Sequence, residues 1–369
     1  MGNKKKIRVD LRKNRSKPPR KRDWSADNDD ALSGERVRAK GELSRKRTII
    51  QDGDTAPGAV DMPAVDVASC LSGRILRVHG LASVVQTQDG RRLRCAVRRL
   101  LKTLATDERS VLAVGDHVWI RPSGGDEGFI ERVEPRHGIL TRASRGREHV
   151  LVANVDQVVI VMSLAEPELK PHLLDRYLAS AEQGGITPII CLNKVDLVDP
   201  VQFQPLIGCY SQLGIVTFLT SAATATGVDR LRKCLIDRET VFAGQSGVGK
   251  SSLLNAIQPR LGLEVREVSE ATQKGKHTTT TAQLLQLDFG GWVVDTPGIR
   301  QFELWDVLPE ELEGFFREFR PYVALCGYPD CTHTHEDRCA VKEAVIRRQI
   351  SERRYASYIG MFTGKLEGS

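Results

Sequence analysis

Two kinds of chemistry are written in short stretches of this chain. Residues 244–251 read GQSGVGKS, a G-x-x-x-x-G-K-[S/T] string between an apolar strand-like run and a helix-like run. There, Gly244, Gly247 and Gly249 let the backbone wrap closely and aim N–H groups at phosphates, and a helix N-terminus adds positive potential. Gln245, Ser246, Val248 and Ser252 complete the expected nucleotide-binding segment. Lys250 would neutralise the β and γ phosphates as the catalytic cation, and Ser251 would bind Mg²⁺ through its hydroxyl. Downstream, GWVVDTPG places Asp295 at a strand end, where a carboxylate holds the magnesium ion through water. Gly298 follows where a backbone N–H meets a γ-phosphate.

Upstream, NKVD at 193–196 selects the base. Asp196 offers two acceptor oxygens that match the ring N–H and exocyclic amine of guanine, whereas adenine would leave the carboxylate mispaired. Asn193 braces such a pocket, and Lys194 packs its stem across the ring. Ser221 and Ala222, ending IVTFLTSA, suit a backbone N–H donated to the guanine carbonyl. The order base reader, phosphate loop, magnesium aspartate fits a working site only if the domain is circularly permuted.

Hydrolysis needs more. Ras-like proteins orient the attacking water with a glutamine just after D-x-x-G, and here Ile299 stands there, so slow basal turnover is expected. The stretch QKGKHTTTTAQ, residues 273–283, lies where a segment would cover the phosphates. Thr278 and Thr279 are candidates for the magnesium shell, with Thr280 beside them. His277 is the candidate to orient water, or else it anchors the loop.

The second chemistry is in CGYPDCTHTHEDRC, whose Cys326, Cys331, His333 and Cys339 are spaced C-x4-C-x-H-x5-C. Three thiolates and an imidazole close a tetrahedral Zn²⁺ shell with no open position. His335 is the alternative to His333. A disulfide is the poorer reading in a reducing cytosol. The other five cysteines are scattered among apolar neighbours, as small core residues are.

These residues need elements to hold them. From about 150, apolar runs alternate with helical ones: VDQVVIVMSL, HLLDRYLASAEQGG, TPIICLNKVD, IVTFLTSA, then TVFAGQSGVGKSSLLNAI and GWVVDTPG. That alternation predicts an α/β domain with a mostly parallel sheet, whose ligands bind beyond the carboxyl ends of its strands. From 68 to about 137, short segments broken by DG, GD and GG turns predict a five-stranded all-β barrel of the oligonucleotide-binding type. It carries Arg91, Arg92, Arg94, Arg98 and Arg99 on its expected surface; the barrel either contacts RNA or serves as a plain docking domain. After the cysteines, a helical run carries Arg347, Arg348, Arg353 and Arg354, which suits RNA docking or an ordinary solvated face.

Charge is uneven. Residues 1–50 hold 17 Lys plus Arg against 7 Asp plus Glu, so the rest of this +7 chain is slightly acidic. Residues 1–67 are expected to be a basic disordered arm and linker, fit for RNA phosphates through counterion release or acting as a solubilising or targeting tail. No apolar run approaches the roughly 20 residues needed to cross a bilayer, and no secretion signal is evident, so a cytoplasmic protein without membrane association is expected.

In this order, a basic arm, a β-barrel, NKVD, GQSGVGKS, GKHTTT, DTPG and CGYPDCTHTHEDRCAV resemble the ribosome small subunit-dependent GTPase A family, over about residues 70–369. The resemblance implies an oligonucleotide-binding-fold domain at 68–140, a circularly permuted P-loop GTPase domain at 145–302 and a small helical zinc-binding domain at 303–369. It implies a monomeric late-acting maturation factor of the 30S ribosomal subunit, in contact with 16S rRNA. Such a factor hydrolyses GTP to GDP and phosphate on the subunit, with Mg²⁺ beside the nucleotide and one structural Zn²⁺. A hydrophobic residue at the position of Ile299 is part of that pattern. Two rivals are a P-loop phosphotransferase acting on a small acceptor and an RNA-binding protein with a vestigial nucleotide site. NKVD argues against the first, and the intact Lys250, Ser251 and Asp295 against the second.

Overall fold

The computed structural model describes residues 5–10, 36–40, 44–51, 69–79, 82–98, 111–144, 147–263, 282–295 and 309–365. They form two compact units, one comprising 1–136 with 147–149 and the other 137–146 with 150–369.

In the first unit, β1 (Lys5–Asp10), β2 (Arg36–Lys40) and β3 (Ser44–Gln51) form an antiparallel sheet with β3 in the middle. The arm expected to be disordered therefore contains paired backbone. Composition suggested disorder, but KKIRVD and RVRAK alternate basic with apolar residues, and that period suits a pleated ribbon. The linker 52–67 lies outside the described residues.

The same unit holds β4 (Leu71–His79), β5 (Ala82–Thr87), β6 (Arg92–Val97), β7 (His117–Gly124) and β8 (Glu127–Val133). Their order is β4-β5-β6-β8-β7, and β4 also pairs with β7, so the ring closes. The pairings are antiparallel except β6 with β8. This is the five-stranded barrel of the oligonucleotide-binding fold. Alternate residues point inward, giving a core around Ile75, Val85, Leu93, Ile120 and Ile130.

Arg98 departs from the surface position expected of it. Its side chain is 1% exposed, and Nη1 donates to Glu131 Oε2 at 2.9 Å. Arg121 Nε lies 3.0 Å from the other Glu131 oxygen. Arg91, Arg92 and Arg94 are exposed, and Arg99 lies outside the described residues. Removing one partner of a buried pair leaves the other poorly compensated, and here the partly exposed Arg121 would still meet one Glu131 oxygen. Arg98→Ala is thus expected to destabilise the barrel by up to about 3–5 kcal/mol, read as a fall in the denaturant midpoint. A loss below ~1 kcal/mol would assign the pair the weight of a surface contact.

The second unit begins at residue 137. It holds β9 (Leu140–Ser144) and the end of β10 (Arg147–Val152), whose residues 147–149 belong to the first unit, and then β11 (Gln157–Ser163). Next come helix α1 (Pro171–Gln183), β12 (Thr187–Asn193), α2 (Gln204–Gln212), β13 (Val216–Leu219) and α3 (Val228–Cys234). Then follow β14 (Glu239–Ala243), α4 (Lys250–Ile257), β15 (Gln283–Gln286) and β16 (Trp292–Asp295). The sheet order is β13-β12-β11-β14-β16-β15, parallel except for β15. Every residue of β11, QVVIVMS, is buried, as a central parallel strand covered on both faces requires. The strand that launches the phosphate loop, β14, lies between β11 and β16 although it comes fourth of the six in sequence. The sheet thus keeps a P-loop arrangement while the chain enters it elsewhere.

The unit ends in short helices α5 (Leu312–Phe315), α6 (Arg320–Val323) and α7 (Ala340–Ile346), and the longer α8 (Glu352–Thr363). They close over Phe316, Phe319, Val341 and Tyr358, and Ala179 of α1 belongs to the same core. Arg354, expected on a basic face, is buried at 3% exposure and paired with two carboxylates. No described helix is long and apolar enough to cross a membrane.

Candidate nucleotide site and metal centre

The parallel strands β11, β12, β13, β14 and β16 end on one edge of the sheet, and the candidate residues of 193–196, 221–222 and 244–252 follow those ends. After Ala243 the backbone turns through Gly244 at φ 141°, Gly247 at 81° and Gly249 at 91°, conformations that favour glycine. A Cβ on Gly244 would lie 2.1 Å from the Val161 carbonyl oxygen, and one on Gly249 would lie 2.5 Å from Asn193 Nδ2. The loop therefore needs glycine for its turns and for its approach to β11 and β12. Val248 is buried beneath it. Lys250 Nζ folds over the loop and donates to the carbonyls of Gly244 and Gln245, both at 2.6 Å. Ser251 and Ser252 occupy the first turn of α4.

The base-reading segment meets this loop directly. Asn193 is 1% exposed; its Nδ2 donates to the Val248 carbonyl at 2.8 Å, and its Oδ1 accepts from Thr220 Oγ1 at 3.2 Å. Fifty-five residues of sequence separation are thus closed by one hydrogen bond. Val195 N donates to Thr220 O at 3.1 Å, which ties the NKVD turn to the LTSA turn. Thr220 went unnoticed in the sequence reading. Its only signal is its place directly before Ser221, at the end of the IVTFL run.

Lys194 takes a left-handed conformation, φ 62°, and its Nζ donates to the Glu166 carbonyl. Asp196 is exposed within the following turn. The Ser221 N–H donates to Thr226 O at 3.0 Å, so of the two candidate donors to a guanine carbonyl it is already engaged, leaving Ala222. The backbone puts Asp295 at the end of β16, beside the strand that feeds the loop. The Asp295 side chain, Gly298, Ile299, His277, Thr278 and Thr279 lie outside the described residues.

At the other end of the unit, one ligand atom from each of Cys326, Cys331, His333 and Cys339 lies within 4.8 Å of the others, as a single metal ion requires. His333 Nδ1 is 3.6 Å from Cys326 Sγ and 3.4 Å from Cys339 Sγ. His333 is fully buried, and its Nε2 meets Glu313 Oε2 at 2.8 Å, the carboxylate support that orients a ligating imidazole. His335 is 84% exposed and bonded to Thr334, outside the cluster. Burial pushes the Cys331 thiol up to about 12, and a cation among the sulfurs would favour the ligating thiolate. The cysteines form no disulfide. Around the cluster, Glu336 ties down the ligand loop by accepting from Thr332 N at 2.8 Å and Thr334 N at 3.0 Å.

A glycine loop on a central parallel strand, braced by an asparagine from a strand that precedes it in sequence, defines a circularly permuted P-loop domain, here joined to a helical Cys₃His metal module. The family model for the RsgA GTPase matches residues 133–305. The small ribosomal subunit biogenesis GTPase RsgA of Phocaeicola vulgatus is 37% identical over 304 residues, 81% of this chain and 98% of its own. Its counterpart in Chlorobaculum parvum is 39% identical over 303 residues, 79% and 97% of the two chains. Among solved structures, YjeQ from Thermotoga maritima superposes with a TM-score of 0.67 at 37% identity, over 81% of this chain and all of its own. YloQ, described as a circularly permuted GTPase, gives 0.62 at 30% identity, over 82% and 98%. The chain belongs to the RsgA family.

Proposed function

We propose that the protein hydrolyses GTP to GDP and phosphate in a manner stimulated by the small ribosomal subunit, and that it serves late in maturation of that subunit. The observation that carries this reading is the 2.8 Å bond from Asn193 to Val248, which holds the base reader and the phosphate loop within reach of one nucleotide. Asp196 pairs with the guanine ring N–H and amine, the Lys194 stem covers the ring, and the Ala222 N–H meets the ring carbonyl. Gly244 to Ser252 hold the phosphates, and Lys250 swings from the loop carbonyls to the β and γ oxygens. The Ser251 hydroxyl, Thr278 or Thr279, and Asp295 would hold Mg²⁺, which neutralises phosphate charge when bound. Gly298 senses the γ-phosphate, and His277 orients the attacking water in place of the glutamine that Ile299 cannot replace. The chemistry of three sulfurs and one imidazole favours Zn²⁺ in the metal centre.

The partner reading is supported by the relatives, whose name is small ribosomal subunit biogenesis GTPase. The basic residues of the arm and of the barrel surface suit contact with 16S rRNA. Turnover of GTP and of ATP, each with and without purified 30S subunits, tests the proposal. Strong stimulation by subunits, confined to GTP, is expected. Subunit-independent transfer to a small acceptor, or no turnover at all, would replace it with the phosphotransferase or the vestigial-site reading.

A further inference from the structure

Arg354 joins two regions of the second unit. From α8 its Nη1 donates to Asp175 Oδ1 of α1 at 2.7 Å, while Nε and Nη2 hold the Glu318 carboxylate at 2.6 and 3.2 Å. Its guanidinium carbon lies 4.4 Å from the centroid of the Phe316 ring. Asp175 is fully buried; Oδ1 also accepts from Tyr210 Oη of α2 at 2.8 Å, and Oδ2 has no hydrogen-bond partner among the described residues. A carboxylate so placed tolerates little displacement of its guanidinium.

The clamp has a metal side and a base side. On the metal side, the next residues of α8 grip the ligand loop, with Tyr355 Oη donating to His333 O at 2.7 Å and Tyr358 Oη to Thr332 O at 2.9 Å. On the base side, α1 packs on β11 and β12, which end in Ser163 and Asn193. The loop that launches α1 meets the NKVD turn twice: Leu164 N donates to Asn193 O at 3.0 Å, and Lys194 Nζ donates to the carbonyl of Glu166. Glu166 is itself held at φ 46°, a left-handed conformation that needs its surroundings fixed. The phosphate loop meets this path at Asn193, whose Nδ2 donates to Val248 O, and at β11, which Gly244 approaches closely.

We propose that Arg354 is a positioning residue for guanine: by pinning α1 through Asp175 it fixes the 164–170 loop and so sets the place of Lys194 over the base. The metal-bearing helices then form part of the support of the base pocket. A buried ion pair of this kind adds little net stability over apolar packing, so its effect is read in what it positions. The inference rests on the guanine reading of NKVD given above.

The test uses the full chain and two probes: GDP, which needs both loop and base pocket, and inorganic tripolyphosphate, which needs the loop alone. Arg354→Met keeps the stem and removes the fork. It is expected to weaken GDP about tenfold, a typical coupling between sites, while tripolyphosphate binding stays within about twofold. Glu318→Gln leaves the Asp175 contact in place and should weaken GDP by less, in the same direction. GDP binding unchanged in a folded Arg354→Met protein overturns the proposal, and so does equal weakening of both probes. Should Arg354→Met fail to fold, Glu318→Gln and Tyr210→Phe decide it: GDP weakened with tripolyphosphate unmoved supports it, and GDP unmoved in both overturns it. A wild-type protein that binds ADP as well as GDP would instead sink the guanine reading itself.

Discussion

Lys250→Ala is expected to lower GTP turnover by roughly 10²–10³-fold, the usual loss when one fixed charge is removed from a transition state developing negative oxygens. The fold should survive. The Lys250 bonds described are to carbonyls of its own loop, Gly244 and Gln245, and the core residues beneath, Val248 and Leu253, do not depend on it. Single-turnover hydrolysis on 30S subunits, with circular dichroism as a control, provides the measurement. A variant that turns over GTP within about threefold of wild type would remove Lys250 from catalysis, since a lost charge-assisted contact is worth more than that.

The second large effect is expected at the metal centre. Chelation, or Cys339→Ser, should melt the helices of residues 309–365. The four ligand atoms sit in the core those helices share, and structural zinc sites contribute on the order of 10 kcal/mol to folding. Cys339 carries a second duty as the N-cap of α7, its sulfur accepting from Lys342 N at 3.4 Å. Serine keeps that cap, so Cys339→Ser removes the ligand alone. Metal stoichiometry and the melting of far-UV ellipticity check this. His335→Ala serves as the comparison, expected to bind metal as wild type does because His335 is exposed and outside the cluster. If Cys339→Ser retained a full equivalent of metal and the wild-type melt, the cluster would not be the centre of that fold.

The parts legible in the sequence were those where a ligand dictates residue type. Phosphates require glycine and lysine at fixed spacing, and zinc requires sulfur and imidazole, so both sites declare themselves locally. The barrel was legible through its short segments broken by DG, GD and GG turns, and the parallel sheet through long apolar runs. The buried charges were not. Arg98 and Arg354 look like any other basic residue, because what buries them is a carboxylate far off in sequence, Glu131 for one and Asp175 with Glu318 for the other. Only the folded chain brings those pairs together. Thr220 escaped notice for a related reason: its role is to orient Asn193, and no ligand fixes its type. In the arm, composition argued one way and alternation the other. Pairing with β3 supplies both β1 and β2 with the partner that an isolated segment lacks.

The permuted strand order also shapes how the protein is made. During synthesis β11 and β12 emerge as neighbours, yet the other edge of β11 is covered only by β14, which begins at Glu239, after α2, β13 and α3 have been translated. At translation speeds of about 5–20 residues per second that edge of a mostly apolar strand waits on the order of ten seconds for its neighbour. The nascent half-sheet is thus a natural client for chaperones at the ribosomal exit tunnel, and a sticky one if they are scarce.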